Sequence, residues 1–92
     1  MAFYVYIIQS EIDGSFYKGF SENPLLRLCQ HNAGETRSTK NLCPWKLVYV
    51  EECESKSQAL IQEKNLKKAT RERIQALLVH SKNKVSVFTT VG

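Results

Sequence analysis

Residues 3–20 read FYVYIIQSEIDGSFYKGF and set the fold, because they hold two strand patterns joined by a turn. Residues 3–10 are rich in aromatic and β-branched types, which favour extended backbone. Asp13-Gly14 is a strong hairpin signal. The stretch therefore predicts a β-hairpin in which residues 15–20 form the antiparallel return strand.

The first strand of this hairpin is apolar on both faces. Strand alternation places Phe3, Val5 and Ile7 on one side and Tyr4, Tyr6 and Ile8 on the other. Strands that are apolar on both faces lie in the middle of a covered sheet. We therefore expect the first strand to be central, with other elements packed above and below it.

The chain after the hairpin predicts a helix, a loop and a strand. Asn23 can cap a helix that has Pro24 in its first turn, and Gly34 suits the position just past its end. Residues 35–44 form a polar, basic loop, and residues 45–50 form the third strand. The apolar stripe expected on the helix consists of Leu25, Leu28 and Cys29.

Two more helices complete the predicted order. Ser55 or Ser57 caps the first of them, and Thr70 caps the second. Their apolar positions are Ala59, Leu60 and Leu66 in the first, and Ile74, Leu77 and Leu78 in the second. The order β-β-α-β-α-α indicates an α+β sandwich with a small mixed or antiparallel sheet.

The length and composition favour one ordinary globular domain. The 92 residues leave room for one modest core, and 42% of them are hydrophobic and 24% charged. We assign residues 1–80 to the domain and residues 81–92 to a C-terminal tail. Residues 85–88, VSVF, would form a short edge strand or a flexible tail, and the sequence leaves both open.

The sequence favours a cytoplasmic setting. No apolar run is long enough to cross a bilayer, and the N-terminus lacks the basic region and cleavage site of a signal peptide. Three cysteines without close pairs, Cys29, Cys43 and Cys53, argue against a disulfide framework and against a zinc site. We expect each to be a small, half-buried apolar side chain.

The charge is compatible with a polyanionic partner. The net charge is +4 and the pI is about 9.1. Basic side chains concentrate late in the chain, at Lys56, Lys64, Lys67, Lys68, Arg71 and Arg73. A solvated helix face and a phosphate-binding surface account for this cluster equally well.

Polar side chains at several positions could carry chemistry. Glu63 shares a helix face with Leu60 and Leu66, where a carboxylate is costly to bury unless it is paired or bound to a hard cation. A stripe-edge carboxylate paired with Lys67 is the simpler interpretation.

Arg27 and His31 lie side by side, four residues apart on the first helix and off its apolar stripe. They could bind phosphate and move protons, or they could be two exposed polar residues.

The tyrosines of the hairpin are a further candidate set. Tyr4 and Tyr6 share a strand face, and Tyr17 lies on the partner strand. Beside Tyr17, Gly19 leaves open backbone where a substrate could approach. Aromatic core packing is the alternative.

These residues also follow one another in a specific order. The sequence contains Tyr4-Val5-Tyr6, then Tyr17-Lys18-Gly19, RLCQHN with Arg27 and His31, PWKLVY, and Glu63 within ESKSQALIQEKNLKK. This pattern resembles the GIY-YIG nuclease family, and most of all its small stand-alone, excinuclease C-like members. The resemblance runs from about Phe3 to about Arg73.

The resemblance implies a sandwich around a three-stranded antiparallel sheet and a role for each residue. Tyr17 would be the general base that activates water, and Tyr6 would help to place the water or the phosphate. Arg27 would stabilise the charged transition state, and His31 would lie near the attacking or leaving oxygen. Glu63 would hold one divalent ion, Mg²⁺ or Mn²⁺.

Other positions are expected to contact nucleic acid, and two positions depart from the family pattern. The residues expected to contact a nucleic-acid backbone are Ser38, Thr39 and Lys40 in the loop and Lys64, Lys67 and Lys68 on the second helix. Tyr4 replaces the glycine of the first motif, and Lys18 stands where an aliphatic residue is usual. Lys18 should point away from Tyr17 by strand alternation.

The resemblance implies a metal-dependent endonuclease that hydrolyses DNA phosphodiester bonds in repair or recombination. Its action would be structure-selective or weakly selective, on branched or single-stranded DNA, with a protein partner supplying specificity and with no membrane involved. The stretch YKGFSENPLLRLCQHN is similar to catalytic subunits that cut branched DNA with a partner. One alternative is a nucleic-acid-binding module with little or no catalysis. Another is a structural or adaptor domain in which the tyrosines are core.

Overall fold

The structure, a computed structural model, describes residues 2–80 and 83–86. Its strands and α-helices, in chain order, are β1 (Phe3–Ser10), β2 (Phe16–Ser21), α1 (Pro24–Asn32), β3 (Trp45–Cys53), α2 (Lys56–Lys68) and α3 (Arg71–Leu78), with a short 3-10 helix (Lys40–Leu42) before β3. The strands form one antiparallel sheet in the order β2-β1-β3. The predicted α+β order, the antiparallel sheet and the central position of the first strand are therefore confirmed.

The turn between β1 and β2 is fixed by local and distant contacts. Gly14 has a φ of +77°, a conformation that suits glycine, and the Asp13 carboxylate accepts a 2.9 Å hydrogen bond from the Ser15 amide. Arg71 of α3 donates a 3.2 Å hydrogen bond to the Gly14 carbonyl and lies over the ring of Phe16. The hairpin and α3 are therefore joined directly.

Helices cover both faces of the sheet. On one face α2 and α3 pack against β1 and β3, and the buried side chains there are Val5, Ile7, Tyr49, Cys53, Ala59, Leu66 and Ile74. On the other face α1 contributes Leu28 to a second cluster, whose buried members are Tyr6, Ile8, Trp45, Leu47 and Val50. The two clusters are separated by the backbone of the sheet, so β1 supplies alternate residues to each.

An irregularity in β3 assigns its side chains to these two faces. Ile7 pairs with Tyr49 and Ile8 pairs with Leu47, so Val48 is an extra residue that has no partner on β1. In a regular strand with Val48 paired, Leu47 and Tyr49 would share a face, because they are two residues apart. The bulge instead places Leu47 beside α1 and Tyr49 beside α2 and α3.

The apolar stripe predicted on α1 is wrong in part. Leu25 and Cys29 are exposed, whereas Pro24 and His31 are buried and Leu28 is half-buried. Histidine can occupy the buried face because both of its ring nitrogens have hydrogen-bonding partners there. The helix therefore turns a polar side chain toward the sheet and leaves leucine at the surface.

Other burial predictions had mixed outcomes. Ala59 and Leu66 are buried on α2, but Leu60 is 37% exposed, because α2 turns a narrower face to the sheet than the sequence suggested. The three cysteines are free, with Cys43 half-buried, Cys53 buried and Cys29 exposed. No helix within the described ranges is long and apolar enough to cross a membrane.

Asn83 fastens the chain after α3 to the outer edge of β3. Its side-chain amide donates 2.9 Å hydrogen bonds to the carbonyls of Val48 and Leu78, and its oxygen accepts from the amide of Val50 at 3.1 Å. The Lys84 amide adds a 2.7 Å bond to the Val50 carbonyl. These bonds satisfy edge groups of β3 that would otherwise be open to another chain.

The proposed tail boundary at residue 81 stays a prediction. Residues 81–82 and 87–92 lie outside the described residues, and so does half of the predicted edge strand at 85–88. Val85 and Ser86, which are described, have helical backbone.

We predict that Asn83→Ala lowers the free energy of unfolding by roughly 1–3 kcal/mol, because it leaves half-buried backbone groups without partners. Urea unfolding would measure this change. The matched control is Asn41→Ala, since Asn41 is exposed and its side chain has no hydrogen bond among the described contacts. Equal stability of the two variants would contradict a stabilising role for Asn83.

Candidate active site

His31 is the centre of a buried polar group between α1 and the sheet. Its Nε2 atom lies 3.1 Å from the Tyr6 hydroxyl, and its Nδ1 atom lies 2.8 Å from the Thr39 hydroxyl. The ring of Tyr17 meets the imidazole edge-on, with 4.8 Å between the ring centroids. Side chains from β1, β2, α1 and the following loop therefore converge on one histidine.

Tyr6 reaches this position because Gly19 has no side chain. Tyr6 and Gly19 are directly paired across β1 and β2, and a Cβ atom on Gly19 would lie 2.7 Å from the Tyr6 hydroxyl oxygen. The interpretation of Gly19 as open backbone for a substrate is therefore wrong, because the Tyr6 phenol fills that space. An aromatic ring that covers a cross-strand glycine is a known means of fixing strand register.

Burial raises the pKa of Tyr6, so the phenol stays protonated at neutral pH. The Arg27 guanidinium works in the opposite direction through its hydrogen-bonding capacity and its charge, and the charges of Tyr17 and Glu63 add smaller increases. These influences show that Arg27, Tyr17 and Glu63 all lie within electrostatic reach of the Tyr6 hydroxyl.

His31 is neutral in this environment. Desolvation by burial lowers its pKa, and the positive charge of Arg27 lowers it further. A neutral imidazole carries one N–H and one bare nitrogen, so it donates at one end and accepts at the other.

Arg27 and His31 are not exposed side chains. Arg27 is half-buried, and its guanidinium donates a 2.5 Å hydrogen bond to the side-chain oxygen of Gln30. Held in this way, the guanidinium stays near the Tyr6 hydroxyl and gives the site its fixed positive charge.

Glu63 comes from the opposite layer. Its side chain is only 15% exposed, and it forms a 3.7 Å ion pair with Lys67, whose side chain is 59% exposed. The sequence offered this pairing as the simpler interpretation of Glu63, and the pair exists. At that distance it is weak, and it leaves carboxylate oxygens available to a hard cation.

The side chains around Glu63 fit an ion that is held by one protein carboxylate rather than one that is enclosed by several protein ligands. Within residues 2–80 and 83–86, no group of three or more His, Cys, Asp or Glu side chains could hold a metal. A divalent ion at Glu63 would therefore take its remaining ligands from water and substrate, as ions at phosphate sites commonly do.

The residues expected to contact nucleic acid divide into two groups. Thr39 is 1% exposed and its hydroxyl faces His31, so the prediction that it contacts a nucleic-acid backbone is wrong. The other members are exposed, namely Ser38, Lys40, Lys64, Lys67 and Lys68. Ser38 and Lys40 flank Thr39 and therefore lie at the surface beside the buried group.

Trp45 and Asn32 are further members that the sequence pattern did not single out. The Trp45 indole donates a 2.9 Å hydrogen bond to the Thr39 carbonyl. The Asn32 side chain bonds the amide and carbonyl of Trp45 at 2.6 and 3.0 Å. The motif PWKLVY contains the tryptophan, but only the tertiary structure shows that it anchors the loop beside His31.

Comparison with known proteins agrees with this geometry. Residues 2–75 match the model of the GIY-YIG catalytic domain. A UPF0213 protein of Haloquadratum walsbyi is 39% identical over 75 residues, covering 80% of this chain and 83% of the relative. A UPF0213 protein of Halobacterium salinarum is 33% identical over 75 residues, covering 80% and 96%.

A solved structure also resembles the whole chain. The solution NMR structure of a UPF0213 protein from Bacillus halodurans is 27% identical, with a TM-score of 0.59 and coverage of 100% of this chain and 98% of that one. The chain therefore belongs to the GIY-YIG family of nuclease domains. Within that family its relatives are the small UPF0213 proteins.

We predict that Gly19→Ala displaces the Tyr6 phenol and lowers the free energy of unfolding by about 1–3 kcal/mol through overpacking. Urea unfolding measures the cost, and an NMR spectrum of the His31 ring reports the lost contact. In a Tyr6→Leu background, the same alanine should cost much less, because the clashing hydroxyl is gone. An equal cost in both backgrounds would rule out Tyr6 as the cause.

Proposed function

We propose that this protein is a metal-dependent endonuclease that hydrolyses DNA phosphodiester bonds. The observation that carries the proposal is the meeting of Tyr6, Tyr17 and His31 at one point, with Arg27 and Glu63 in electrostatic reach of Tyr6. An aromatic core alone would not require a buried histidine with a hydrogen-bonding partner at each ring nitrogen. The match to a GIY-YIG catalytic domain gives this arrangement a reaction class.

Hydrolysis requires a water oxygen to attack phosphorus, a proton to leave that water, and a P–O bond to break while the leaving oxygen gains a proton. Tyr17 is the better candidate for the water proton, because it is partly exposed whereas Tyr6 is 1% exposed. Tyr6, whose pKa is raised by burial, keeps its proton and orients groups around it. Arg27 supplies charge for the phosphate oxygens.

Glu63 is the residue that would hold the divalent ion, Mg²⁺ or Mn²⁺. When bound, the ion supplies Lewis-acid stabilisation of negative charge on phosphate oxygens. Lys67 already neutralises part of the carboxylate charge, so ion binding would displace a weak, largely solvated partner.

Substrate selection depends on the side chains at the surface beside the site. Exposed polar residues near the buried group include Ser38 and Lys40, which suit contact with a sugar-phosphate backbone rather than base edges. We therefore propose weak or structure-selective cleavage, on branched or single-stranded DNA in repair or recombination, with a protein partner adding specificity.

We predict that Glu63→Gln abolishes divalent-dependent cleavage, lowering its rate on the order of 100-fold or more. The measurement is cleavage of labelled single-stranded, duplex, flap and branched DNA and of RNA, with Mg²⁺, Mn²⁺ or EDTA. The matched control is Glu11→Gln, which removes an exposed carboxylate from the β1–β2 turn.

Cleavage by the wild type and by Glu11→Gln, but not by Glu63→Gln, would support the proposal. Undiminished metal-dependent cleavage by Glu63→Gln would remove Glu63 from the reaction. Binding to DNA without cleavage by the wild type would favour a second function, a nucleic-acid-binding module.

The second function has its own observation, which is the exposed row of lysines on α2. Lys64 and Lys68 are exposed and four residues apart, so they share a helix face. Lysines on one face form an electrostatic footprint for phosphate, whether or not a bond is cut.

We predict that Lys64→Gln/Lys68→Gln weakens DNA binding and flattens its salt dependence. Each lost phosphate contact reduces the slope of log affinity against log salt by about 0.9 on duplex DNA. Fluorescence anisotropy over a salt series measures the slope. Lys46→Gln/Lys84→Gln removes the same charge from exposed positions at β3 and is the control. The same slope change in both variants would indicate net charge rather than a defined surface.

A further inference from the structure

We propose that Thr39 is a positioning residue whose hydroxyl holds neutral His31 in the Nδ1–H tautomer, so that Nε2 accepts the hydroxyl proton of Tyr6. The inference rests on the proposed nuclease function only for its effect on rate. The assignment of the tautomer depends only on the contacts of Thr39, His31 and Tyr6.

The hydrogen-bond donors and acceptors around His31 determine which ring nitrogen carries the proton. The contacts are Tyr6 hydroxyl to His31 Nε2 at 3.1 Å, His31 Nδ1 to Thr39 hydroxyl at 2.8 Å, and Thr39 hydroxyl to the Thr36 carbonyl at 3.4 Å. A carbonyl can only accept, so the last contact needs the Thr39 proton. The Thr39 oxygen is then an acceptor for an N–H on Nδ1. This leaves Nε2 bare, and the Tyr6 proton is the one that can complete the contact.

The opposite tautomer leaves this chain incomplete. If Nε2 carried the proton, Thr39 would have to donate to Nδ1, and its contact with the Thr36 carbonyl would have no proton. The Tyr6 oxygen would then accept from His31, and the Tyr6 proton would need an acceptor other than Nε2. Only the Nδ1–H form gives each contact one donor and one acceptor.

The choice between the two tautomers of His31 matters because the whole group is buried. Tyr6 and Thr39 are each 1% exposed and His31 is fully buried. Water therefore has little access to replace a missing partner, and an unpaired buried polar atom is costly. The tautomer is set by protein groups rather than by solvent.

The position of Thr39 is set independently of His31. Its carbonyl accepts a 2.9 Å bond from the Trp45 indole and a 3.1 Å bond from the Leu42 amide, and its own amide donates to the Thr36 carbonyl at 3.1 Å. The loop can therefore impose an orientation on the imidazole, in the way that outer partners orient catalytic and metal-bound histidines.

The arrangement defines what Tyr6 can do. With its proton directed to Nε2, the Tyr6 oxygen is free to accept from a donor such as the Arg27 guanidinium. Tyr6 would then help to place the phosphate through Arg27 while keeping its own proton, in agreement with a pKa that burial raises.

The test uses the intact chain labelled with ¹⁵N. Long-range ¹H–¹⁵N correlation spectra distinguish a protonated from a bare imidazole nitrogen. The chain has two histidines, and His80→Gln assigns the signals of His31 by difference. We expect Nδ1–H in the wild type and in Thr39→Ser, and a shift toward Nε2–H or a mixture in Thr39→Val. A wild-type Nε2–H tautomer, or Nδ1–H retained in Thr39→Val, overturns the proposal.

Cleavage rates of the same variants test whether the tautomer affects the reaction. We expect Thr39→Val to lower the rate roughly 10- to 100-fold, the size typical of losing an outer histidine partner, and Thr39→Ser to restore most of it. A loss of rate without a tautomer change also overturns the proposal. If the wild type cleaves nothing, the nuclease function fails, but the wild-type tautomer still decides whether Thr39 orients His31, with no variant required.

Discussion

The contact between the Tyr6 hydroxyl and His31 Nε2 joins the sheet to α1, and the rest of the site is arranged around it. It requires a glycine opposite Tyr6, because any Cβ at Gly19 would occupy the space of the phenol. It also requires a polar residue on the buried face of α1, which explains why apolar Leu25 lies at the surface instead. One hydrogen bond thus determines residue choice on β1, β2 and α1.

Most of the fold and most residues of the site could be predicted from the sequence. Strand alternation, the Asp13-Gly14 turn and the caps at Asn23, Ser55 and Thr70 are local signals, and each corresponds to an observed element. The ordered motifs identified residues that meet in space even though Tyr6 and Glu63 are far apart in sequence. Local rules sufficed where the physical cause was itself local.

The predictions that were wrong have a common cause, because they concern positions whose burial depends on residues far away in the sequence. Thr39 looks like a surface residue in a basic loop, but the Trp45 indole and the His31 ring hold it inside. Gly19 looks like open backbone until the Tyr6 ring is placed on it. Neither fact is encoded within a few residues of the position concerned, so no periodicity could reveal it.

The bulge at Val48 makes β3 one residue longer than the part of β1 with which it pairs. Leu47 and Tyr49, which flank Val48, pair with the consecutive residues Ile8 and Ile7 and therefore face opposite cores, as adjacent residues of a regular strand do. Deletion of Val48 would therefore remove the bulge and leave Trp45, Leu47 and Tyr49 on their present faces. The strand could lose a residue at this one position without exchanging the side chains of the two cores.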